Sequence, residues 1–367
     1  MRNGTETNKR FSAPSLQARE VVDEGRGSAL SALRCAGAGS AVFRLGNSLS
    51  MGSSLSPILP IQSNRCVAVG TDGTETHRMS SYGGPMHVPE SVSKRSVELN
   101  SATLVILESG TGGSPLLLVH GITGSKEDFG PAIPALVELG YHVVAPDLRG
   151  HGESTHDEDE QAYGLDHFKG DLVELADLLD WEQFDLVGHS MGGMIAQRLI
   201  LAHPERVARL VLMSTHHGVV ENYDQGLIAL GAEMARTHGL EAVHAVLEMG
   251  YNPNDNPAYE RVCAEVEGYR EWASTKMLRC SSAMYASMLS QFPVIEDRLE
   301  QLTSISVPTL VQVGDLDTPF VGASERMAAT IPGAALDRFS DACHMPQFEA
   351  RADWERSLHR FLGAATA

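Results

Sequence analysis

Short apolar segments alternate with amphipathic ones along the chain from about residue 96 onward. SPLLLVHG at 114–121, YHVVAPD at 141–147 and FDLVG at 184–188 have the length and composition of strands. The first contains a continuous apolar run, which is typical of a strand buried on both faces of a parallel sheet. Residues 167–181 show helical spacing of their apolar positions instead. This order predicts an α/β fold, with a mostly parallel central sheet and helices on both faces.

The pattern changes after residue 215. Segments such as DQGLIALGAEMARTHG and SSAMYASMLSQ have helical spacing, and the stretch as far as residue 293 shows no clear strand. The alternation of strand and helix signals resumes with VPTLVQVGD and ends with the helical segment ADWERSLHRFLG. We therefore predict a core of residues 96–215 and 294–365 that is interrupted by a helical cap of residues 216–293.

Residues 1–85 have a different character. They are rich in serine, glycine and arginine, and they show no sustained period of either a helix or a strand. Residues 1–95 hold 11 lysines and arginines against 7 acidic residues, whereas the whole chain has a net charge of −19. This segment is interpreted as disordered, as an organelle-targeting peptide, or as sequence translated from a start upstream of the true one. In each case the chemistry is expected downstream.

The charge balance narrows the class of partner. A net charge of −19 argues against nucleic acid and against an anionic membrane surface, because both are bound by basic faces. No apolar run approaches the roughly 18 residues of a membrane-spanning helix, so we expect no integral membrane segment. The five cysteines are scattered and lack the spacing of metal ligands. They predict neither a disulfide framework nor a metal site, and they fit the reduced thiols of a cytoplasmic protein.

One serine stands between small residues at the end of a predicted strand. Gly188-His189-Ser190-Met191-Gly192 matches the pattern G-x-S-x-G, with strand FDLVG before it and helix MGGMIAQRLIL after it. Such a bend strains the backbone at the serine, and a Cβ on either flanking glycine would collide with the neighbouring chain. We therefore predict that Ser190 is a nucleophile. A simple helix cap would not require glycine on both sides.

A serine hydroxyl needs a base, and the base needs a carboxylate to orient it. Position must select among the 15 histidines. His344 lies in RFSDACHMPQFE, in the loop after a predicted strand, and VQVGDLDTPF places Asp315 and Asp317 just beyond another strand end. The chain order Ser190, Asp317, His344 agrees with the order of nucleophile, acid and base in hydrolases. We assign Asp317 as the acid, with Asp315 as the alternative.

The negative charge that develops on an attacked carbonyl oxygen needs hydrogen-bond donors already in place. The amide of Met191, directly after the nucleophile, is the first predicted donor. The loop HGITG after strand PLLLV supplies the second, and because Gly121 permits close approach, we assign the amide of Ile122. His120 is expected to brace this loop rather than to react.

Taken together, the motifs resemble those of the α/β-hydrolase superfamily, in its single-domain branch with a helical cap. VHGITGSKEDF, APDLRGHGES, GHSMGGMIAQ, GDLDTP and ACHMPQFE follow one another in the family's order over roughly residues 96–365. The resemblance implies an α/β-hydrolase fold with Ser190 as nucleophile, His344 as base and Asp317 as acid. It implies no cofactor and no metal. Such a resemblance identifies fold and machinery far better than substrate.

The residue type of the predicted nucleophile limits the classes of reaction that this chain could catalyse. Haloalkane dehalogenases and epoxide hydrolases of this fold carry aspartate at the position of Ser190, which argues against both reactions. Acyl chemistry remains, and we expect a serine esterase that acts on a small, largely apolar carboxylic ester or lactone. Monoacylglycerol lipases and enol-lactone hydrolases carry similar motifs. The sequence does not indicate an oligomeric state.

Three alternatives stay open. Hydrolases that cut C–C bonds in ring-cleavage products share this scaffold, but they usually carry Trp after the catalytic His and often Asn before the Ser. Here those positions hold Met345 and His189. Cofactor-free haloperoxidases, with their perhydrolase activity, use the same triad as esterases. Some members of the fold are small-ligand receptors whose cap binds a partner protein.

Overall fold

The computed structural model describes residues 88–221, 223–251 and 256–363. The interpretation of residues 1–85 therefore lies outside the described residues.

The described residues contain one eight-stranded sheet, which is antiparallel at one edge and parallel elsewhere. Its strands are β1 (Ser93–Glu98), β2 (Thr103–Ser109), β3 (Ser114–Val119), β4 (Tyr141–Pro146), β5 (Phe184–His189), β6 (Val207–Met213), β7 (Thr309–Gly314) and β8 (Ala335–Phe339). They lie in the order β1-β2-β4-β3-β5-β6-β7-β8. β2 is antiparallel to β1 and to β4, and every other neighbouring pair is parallel. The predicted mostly parallel sheet is confirmed.

Helices cover both faces of this sheet. They are α1 (Ile133–Glu138), α2 (Leu165–Leu178), α3 (Met191–Ala202), α4 (Gln225–Val246), α5 (Pro257–Glu265), α6 (Tyr269–Thr275), α7 (Ser282–Gln291), α8 (Thr318–Thr330), α9 (Pro346–Glu349) and α10 (Arg351–Leu362). α1 and α10 contribute to one apolar cluster, and α2, α3 and α8 contribute to another. None of the helices in the described ranges is both long and apolar enough to cross a membrane.

The apolar run of β3 shows why the sheet is buried on two sides. Leu116 and Leu118 belong to the cluster with α1 and α10, whereas Leu117 and Val119 belong to the cluster with α2 and α3. Successive side chains of a strand point to opposite faces, so a strand that is apolar at every position needs cover on both. All four side chains are completely buried.

Between β6 and β7 the chain forms helices α4 to α7. α4 and α7 pack against each other, and α4 is interrupted at Gly239, whose φ of 77° and ψ of 176° are not helical. Several polar contacts tie this stretch to loops of the sheet, for example two in its second half. The Ser281 amide donates to the Gly150 carbonyl oxygen at 2.8 Å, and Lys276 Nζ lies 2.9 Å from Asp128 Oδ1. We propose that this helical stretch is the cap.

Helix α3 begins in close contact with the end of β3. A Cβ at Gly192 would lie 2.3 Å from the carbonyl oxygen of Val119 and 2.6 Å from that of His120. Both neighbours are backbone atoms at the carboxyl end of β3, where Val119 and His120 are completely buried. Helix α3 can therefore pack this close to the end of β3 only because residue 192 is glycine.

We expect Gly192→Ala to destabilise the fold by about 1–3 kcal/mol, because the new methyl group forces backbone atoms apart. Urea unfolding followed by circular dichroism measures the change. Gly170→Ala is the matched control, since Gly170 lies exposed within α2 with nothing within 4 Å of its ideal Cβ position. That control should gain about 0.5–1 kcal/mol from reduced backbone entropy. A Gly192→Ala protein as stable as the wild type would contradict the expectation.

Candidate active site

Ser190 lies at a sharp bend between β5 and α3. Its φ of 53° and ψ of −117° are strained for a residue with a Cβ. The amide of Ser190 donates to the Met213 carbonyl oxygen at 2.9 Å, which ties the bend to β6. A Cβ on Gly188 would lie 2.5 Å from the carbonyl oxygen of Gly192, so the chain can cross itself here only through glycine. The Ser190 side chain makes no capping hydrogen bond to α3.

The Ser190 hydroxyl instead lies against a histidine from far along the chain. Ser190 Oγ is 3.0 Å from His344 Nε2, and His344 Nδ1 is 2.9 Å from Asp317 Oδ2. An ionised carboxylate only accepts hydrogen bonds, so Nδ1 carries the hydrogen that is donated to Asp317. The lone pair on Nε2 is then free to accept the Ser190 hydroxyl hydrogen. The structure thus brings together the three residues that the motifs singled out.

The sheet order explains how distant residues meet. Ser190 follows β5, Asp317 follows β7, and His344 lies in the loop after β8. β5 to β8 are parallel neighbours, so their carboxyl ends open on one edge of the sheet. Polar side chains that follow these strands are therefore collected at that edge.

The structure separates the two candidate acids. Asp317 is 2% exposed and contacts His344. Asp315 points elsewhere, with Oδ1 hydrogen-bonded to Arg338 Nε at 2.6 Å. Arg338 lies on β8 and also contacts Glu325 of α8. Asp315 therefore belongs to a surface ion-pair network beside the site.

The electrostatic environment of His344 favours its protonated form. Burial by itself lowers the pKa of this imidazole, but the Asp317 carboxylate outweighs that effect through its charge and its hydrogen bond. The pKa of His344 is therefore raised above its ordinary value. Some 23% of the side chain remains exposed, which leaves the ring a route to solvent and to an incoming substrate.

Two backbone amides lie beside Ser190 without acceptors among the described residues. The amide of Met191 occupies the first position of α3, where a helix offers no intrahelical acceptor. Ile122 lies in the turn after β3, and the neighbouring Gly121 is so near that its ideal Cβ would be 2.9 Å from Ser190 Cβ. We propose that these two amides form the oxyanion hole.

His120 holds this turn in place. Its Nε2 accepts a hydrogen bond from the Leu148 amide at 3.1 Å, so Nδ1 carries the ring hydrogen and donates it to the Gly121 carbonyl oxygen at 2.8 Å. Burial lowers the pKa of His120 to about 3, which keeps the ring neutral. A neutral, doubly hydrogen-bonded ring serves as a brace.

The sequence analysis missed the structural role of His189, which it considered only as the residue before Ser190. Its Nε2 donates to the His344 carbonyl oxygen at 2.7 Å, and the ring is almost completely buried. Burial lowers the pKa of His189 well below its ordinary value, so this ring is also neutral. The two adjacent residues His189 and Ser190 thus hold the backbone and the ring of His344 respectively. No sequence pattern predicts this hydrogen bond, because the two residues are 155 positions apart in the chain.

Within the described ranges, no group of three or more histidine, cysteine, aspartate and glutamate side chains is placed to hold a metal ion.

Comparison with known proteins agrees with this architecture. A family model described as the alpha/beta hydrolase fold matches residues 114–237. Epoxide hydrolase A of Mycobacterium tuberculosis is 37% identical over 122 residues, a match that covers 33% of this chain and 38% of that protein. The chain thus spans well under half of the length of that relative.

Two other relatives are matched over nearly their whole length. The structure of the enol-lactonase from Burkholderia xenovorans LB400 has a TM-score of 0.64 at 23% identity, over 73% of this chain and 99% of that chain, and it supports the fold. 2-Hydroxymuconate semialdehyde hydrolase of Pseudomonas sp. (strain CF600) is 31% identical over 289 residues, covering 71% of this chain and 91% of that protein. With this identity over so much of a relative, the chain belongs to the α/β-hydrolase family.

Proposed function

We propose that this chain is a serine hydrolase that cleaves a carboxylic ester or a lactone through an acyl-enzyme on Ser190. The observation that carries the proposal is the unbroken hydrogen-bonded series from Ser190 Oγ through the His344 ring to Asp317. A serine hydroxyl is a weak nucleophile near neutral pH unless a positioned base takes its proton. This series supplies such a base and the carboxylate that orients it.

The first half of the reaction forms the acyl-enzyme. Ser190 Oγ attacks the carbonyl carbon while its proton moves to His344 Nε2, and Asp317 stabilises the resulting imidazolium. The amides of Ile122 and Met191 donate to the oxyanion of the tetrahedral intermediate. The C–O bond then breaks, and His344 returns the proton to the leaving alkoxide. In a lactone this alcohol stays attached to the acyl group.

The second half releases the acid. Water enters, His344 Nε2 takes its proton, and the resulting hydroxide attacks the acyl carbonyl. When the second tetrahedral intermediate collapses, the proton passes to Ser190 Oγ and the free enzyme is restored. No cofactor is needed in either half.

Side chains next to the site favour a largely apolar substrate. The Phe320 ring lies 4.7 Å from the His344 ring, centroid to centroid, and Ile122 packs against the main apolar cluster. Met191 and Met194 of α3, the helix that directly follows Ser190, are buried in the same cluster. Methionine side chains adapt to irregular apolar shapes, which suits a small apolar acyl or alcohol group.

One observation favours a second candidate reaction. The relative named 2-hydroxymuconate semialdehyde hydrolase is 31% identical across 91% of its length. A muconate semialdehyde contains no ester, so hydrolysis of its carbon skeleton must break a C–C bond. Hydrolysis of such a ring-cleavage product could use the same Ser190, His344 and Asp317. This reaction is the second choice, because Met345 follows His344 where C–C hydrolases usually carry Trp, and His189 precedes Ser190 where they often carry Asn.

We expect Ser190→Ala to lower kcat/KM for a short p-nitrophenyl ester by at least about 10³-fold, because the acyl-enzyme cannot form. Ser304→Ala, at an exposed serine that precedes the amino end of β7, is the matched control and should keep wild-type turnover. Thermal unfolding should show both variants folded. A fluorophosphonate probe should label the wild type and the control but not Ser190→Ala. Turnover by folded Ser190→Ala at more than a trace would refute the proposal.

The pH dependence of hydrolysis should report the ionisation of His344. Only the neutral ring can accept a proton, so kcat/KM should fall as the pH drops through the raised pKa of His344. In Asp317→Asn the carboxylate charge is lost, so the acid limb should move to lower pH and the plateau should fall by about 10²–10⁴-fold. Asp315→Asn should keep the wild-type limb and plateau. The reverse pattern in the two variants would make Asp315 the acid.

A direct comparison of substrates separates the two candidate reactions. We expect kcat/KM for p-nitrophenyl esters and simple lactones to exceed that for a dienone acid formed by ring cleavage. The assay follows nitrophenolate release, proton release and loss of the dienone absorbance on the same enzyme preparation. A preference for the dienone acid, abolished by Ser190→Ala, would establish the second candidate in place of the first.

A further inference from the structure

The backbone on both sides of His344 is bound by one buried carboxylate that the catalytic scheme does not use. Glu349 lies at the end of α9, and its Oε2 accepts hydrogen bonds from the Cys343 amide at 2.6 Å and from the Met345 amide at 3.1 Å. These are the residues immediately before and after His344. A single oxygen atom therefore fixes the direction of the peptide units that carry the base.

Glu349 is not neutralised by an ion pair among the described residues. Its side chain is buried, and no lysine, arginine or histidine nitrogen there comes within 4.0 Å of its oxygens. Burial raises the pKa of Glu349, and its two backbone hydrogen bonds together with nearby His344 only partly oppose that effect. A buried carboxyl group without a cation is costly for the fold. The two backbone amides that donate to Oε2 offset part of this cost, because they favour the ionised form of Glu349.

The His344 main chain has a third fixed point. Its carbonyl oxygen accepts the hydrogen bond from His189 Nε2, while the ring contacts Ser190 and Asp317. Glu349 and His189 thus hold the main chain, and Asp317 and Ser190 hold the ring. Without the contacts to Glu349, the peptide units that flank His344 would lose two of the hydrogen bonds that fix their direction.

We infer that Glu349 is a positioning residue for His344, which clamps the amides of Cys343 and Met345 and adds a second negative charge near the imidazole. This inference rests on the proposed function, since it treats His344 as the base. The clamp keeps Nε2 at its distance from Ser190 Oγ, and the charge helps Asp317 to stabilise the imidazolium.

The charges around His344 agree with this assignment. Asp317 and Glu349 both raise the pKa of the imidazole, whereas burial and the Lys276 ammonium group lower it. Lys276 reaches the site from the stretch between β6 and β7, where its charge is paired with Asp128. The other titratable or charged groups that face this loop are His189, Cys343 and Tyr223, together with Tyr269 of α6 and Arg261 of α5, which donates to the Glu349 carbonyl oxygen at 2.8 Å. The pKa of His189 lies well below its ordinary value and those of Cys343 and Tyr223 are raised to about 12, so none of these three groups adds charge near pH 7. The carboxylate that adds to Asp317 in raising the pKa of His344 is that of Glu349.

Two substitutions separate the clamp from the charge. Glu349→Gln keeps a carbonyl oxygen of the same reach that can accept from both amides, but it removes the charge. Glu349→Asp keeps the charge but withdraws the oxygens by one methylene. Glu300→Gln, at an exposed carboxylate that precedes the amino end of β7, is the matched control for loss of one negative charge.

The experiment measures kcat and KM for a p-nitrophenyl ester against pH, thermal unfolding, and the NMR titration of ¹³C-labelled histidine, with the His344 signal assigned by its loss in His344→Gln. In Glu349→Gln we expect the acid limb of kcat/KM and the His344 titration to move together to lower pH, with most of kcat retained. In Glu349→Asp we expect kcat to fall by about 10²-fold with little change in KM, because a small displacement of the base is costly. Glu300→Gln should match the wild type in every measurement.

If the pKa of His344 is unchanged in Glu349→Gln, the charge of Glu349 does not act on the imidazole. If folded Glu349→Asp keeps the wild-type kcat, the hydrogen bonds of Glu349 to the Cys343 and Met345 amides do not position His344. If Glu349 has a purely structural role, both variants should unfold at a lower temperature, while the His344 titration in Glu349→Gln and kcat in Glu349→Asp stay unchanged. If one variant fails to fold, the other still tests its own half of the inference. The NMR titration needs no substrate, so it remains informative even if the wild type hydrolyses none of the esters offered.

Discussion

The site depends on one bend of the backbone. At Ser190 the chain reverses from β5 into α3 with a positive φ, and it can do so because Gly188 and Gly192 let backbone atoms approach closer than a Cβ would allow. The bend places the Ser190 hydroxyl beyond the carboxyl edge of the sheet and turns the first amide of α3 toward the same space. Strain of this kind persists only when the surrounding structure holds it. Here β6 and the turn after β3 hold it on two sides.

A second constraint decides which histidine can carry a proton. His120, His189 and His344 all lie close to Ser190, yet only His344 has a carboxylate against its ring. Burial lowers the pKa of His120 to about 3 and that of His189 far below its ordinary value, so both rings remain neutral braces. Opposite charge raises the pKa of His344. The same residue type is therefore neutral at two positions and more readily protonated at a third, and the difference comes from a neighbouring carboxylate.

Buried ion pairs support the turn that carries Ile122. The Lys126 ammonium group is fully buried between Asp147 at 2.7 Å and Glu153 at 2.8 Å, and Asp128 is bound by Lys276 from the helical stretch between β6 and β7. Buried ion pairs add little net stability, because desolvation offsets their attraction. Their hydrogen bonds are directional, however, and they fix the course of the loop. The position of the Ile122 amide thus depends on charges contributed by several segments.

The sequence by itself determined the strand–helix order, the burial of β3 on both faces, and the identity of the bend. Each of these depends on local spacing or on glycine at a fixed offset, which a linear pattern records. It also suggested Ser190, Asp317 and His344, because parallel strands collect the residues that follow them at one edge. Only the tertiary structure decided that Asp317 rather than Asp315 contacts His344, that His189 binds the His344 carbonyl oxygen, and that Glu349 holds both flanking amides. Those contacts depend on side-chain direction and on the packing of distant segments, and neither has a period or a motif that a single sequence displays.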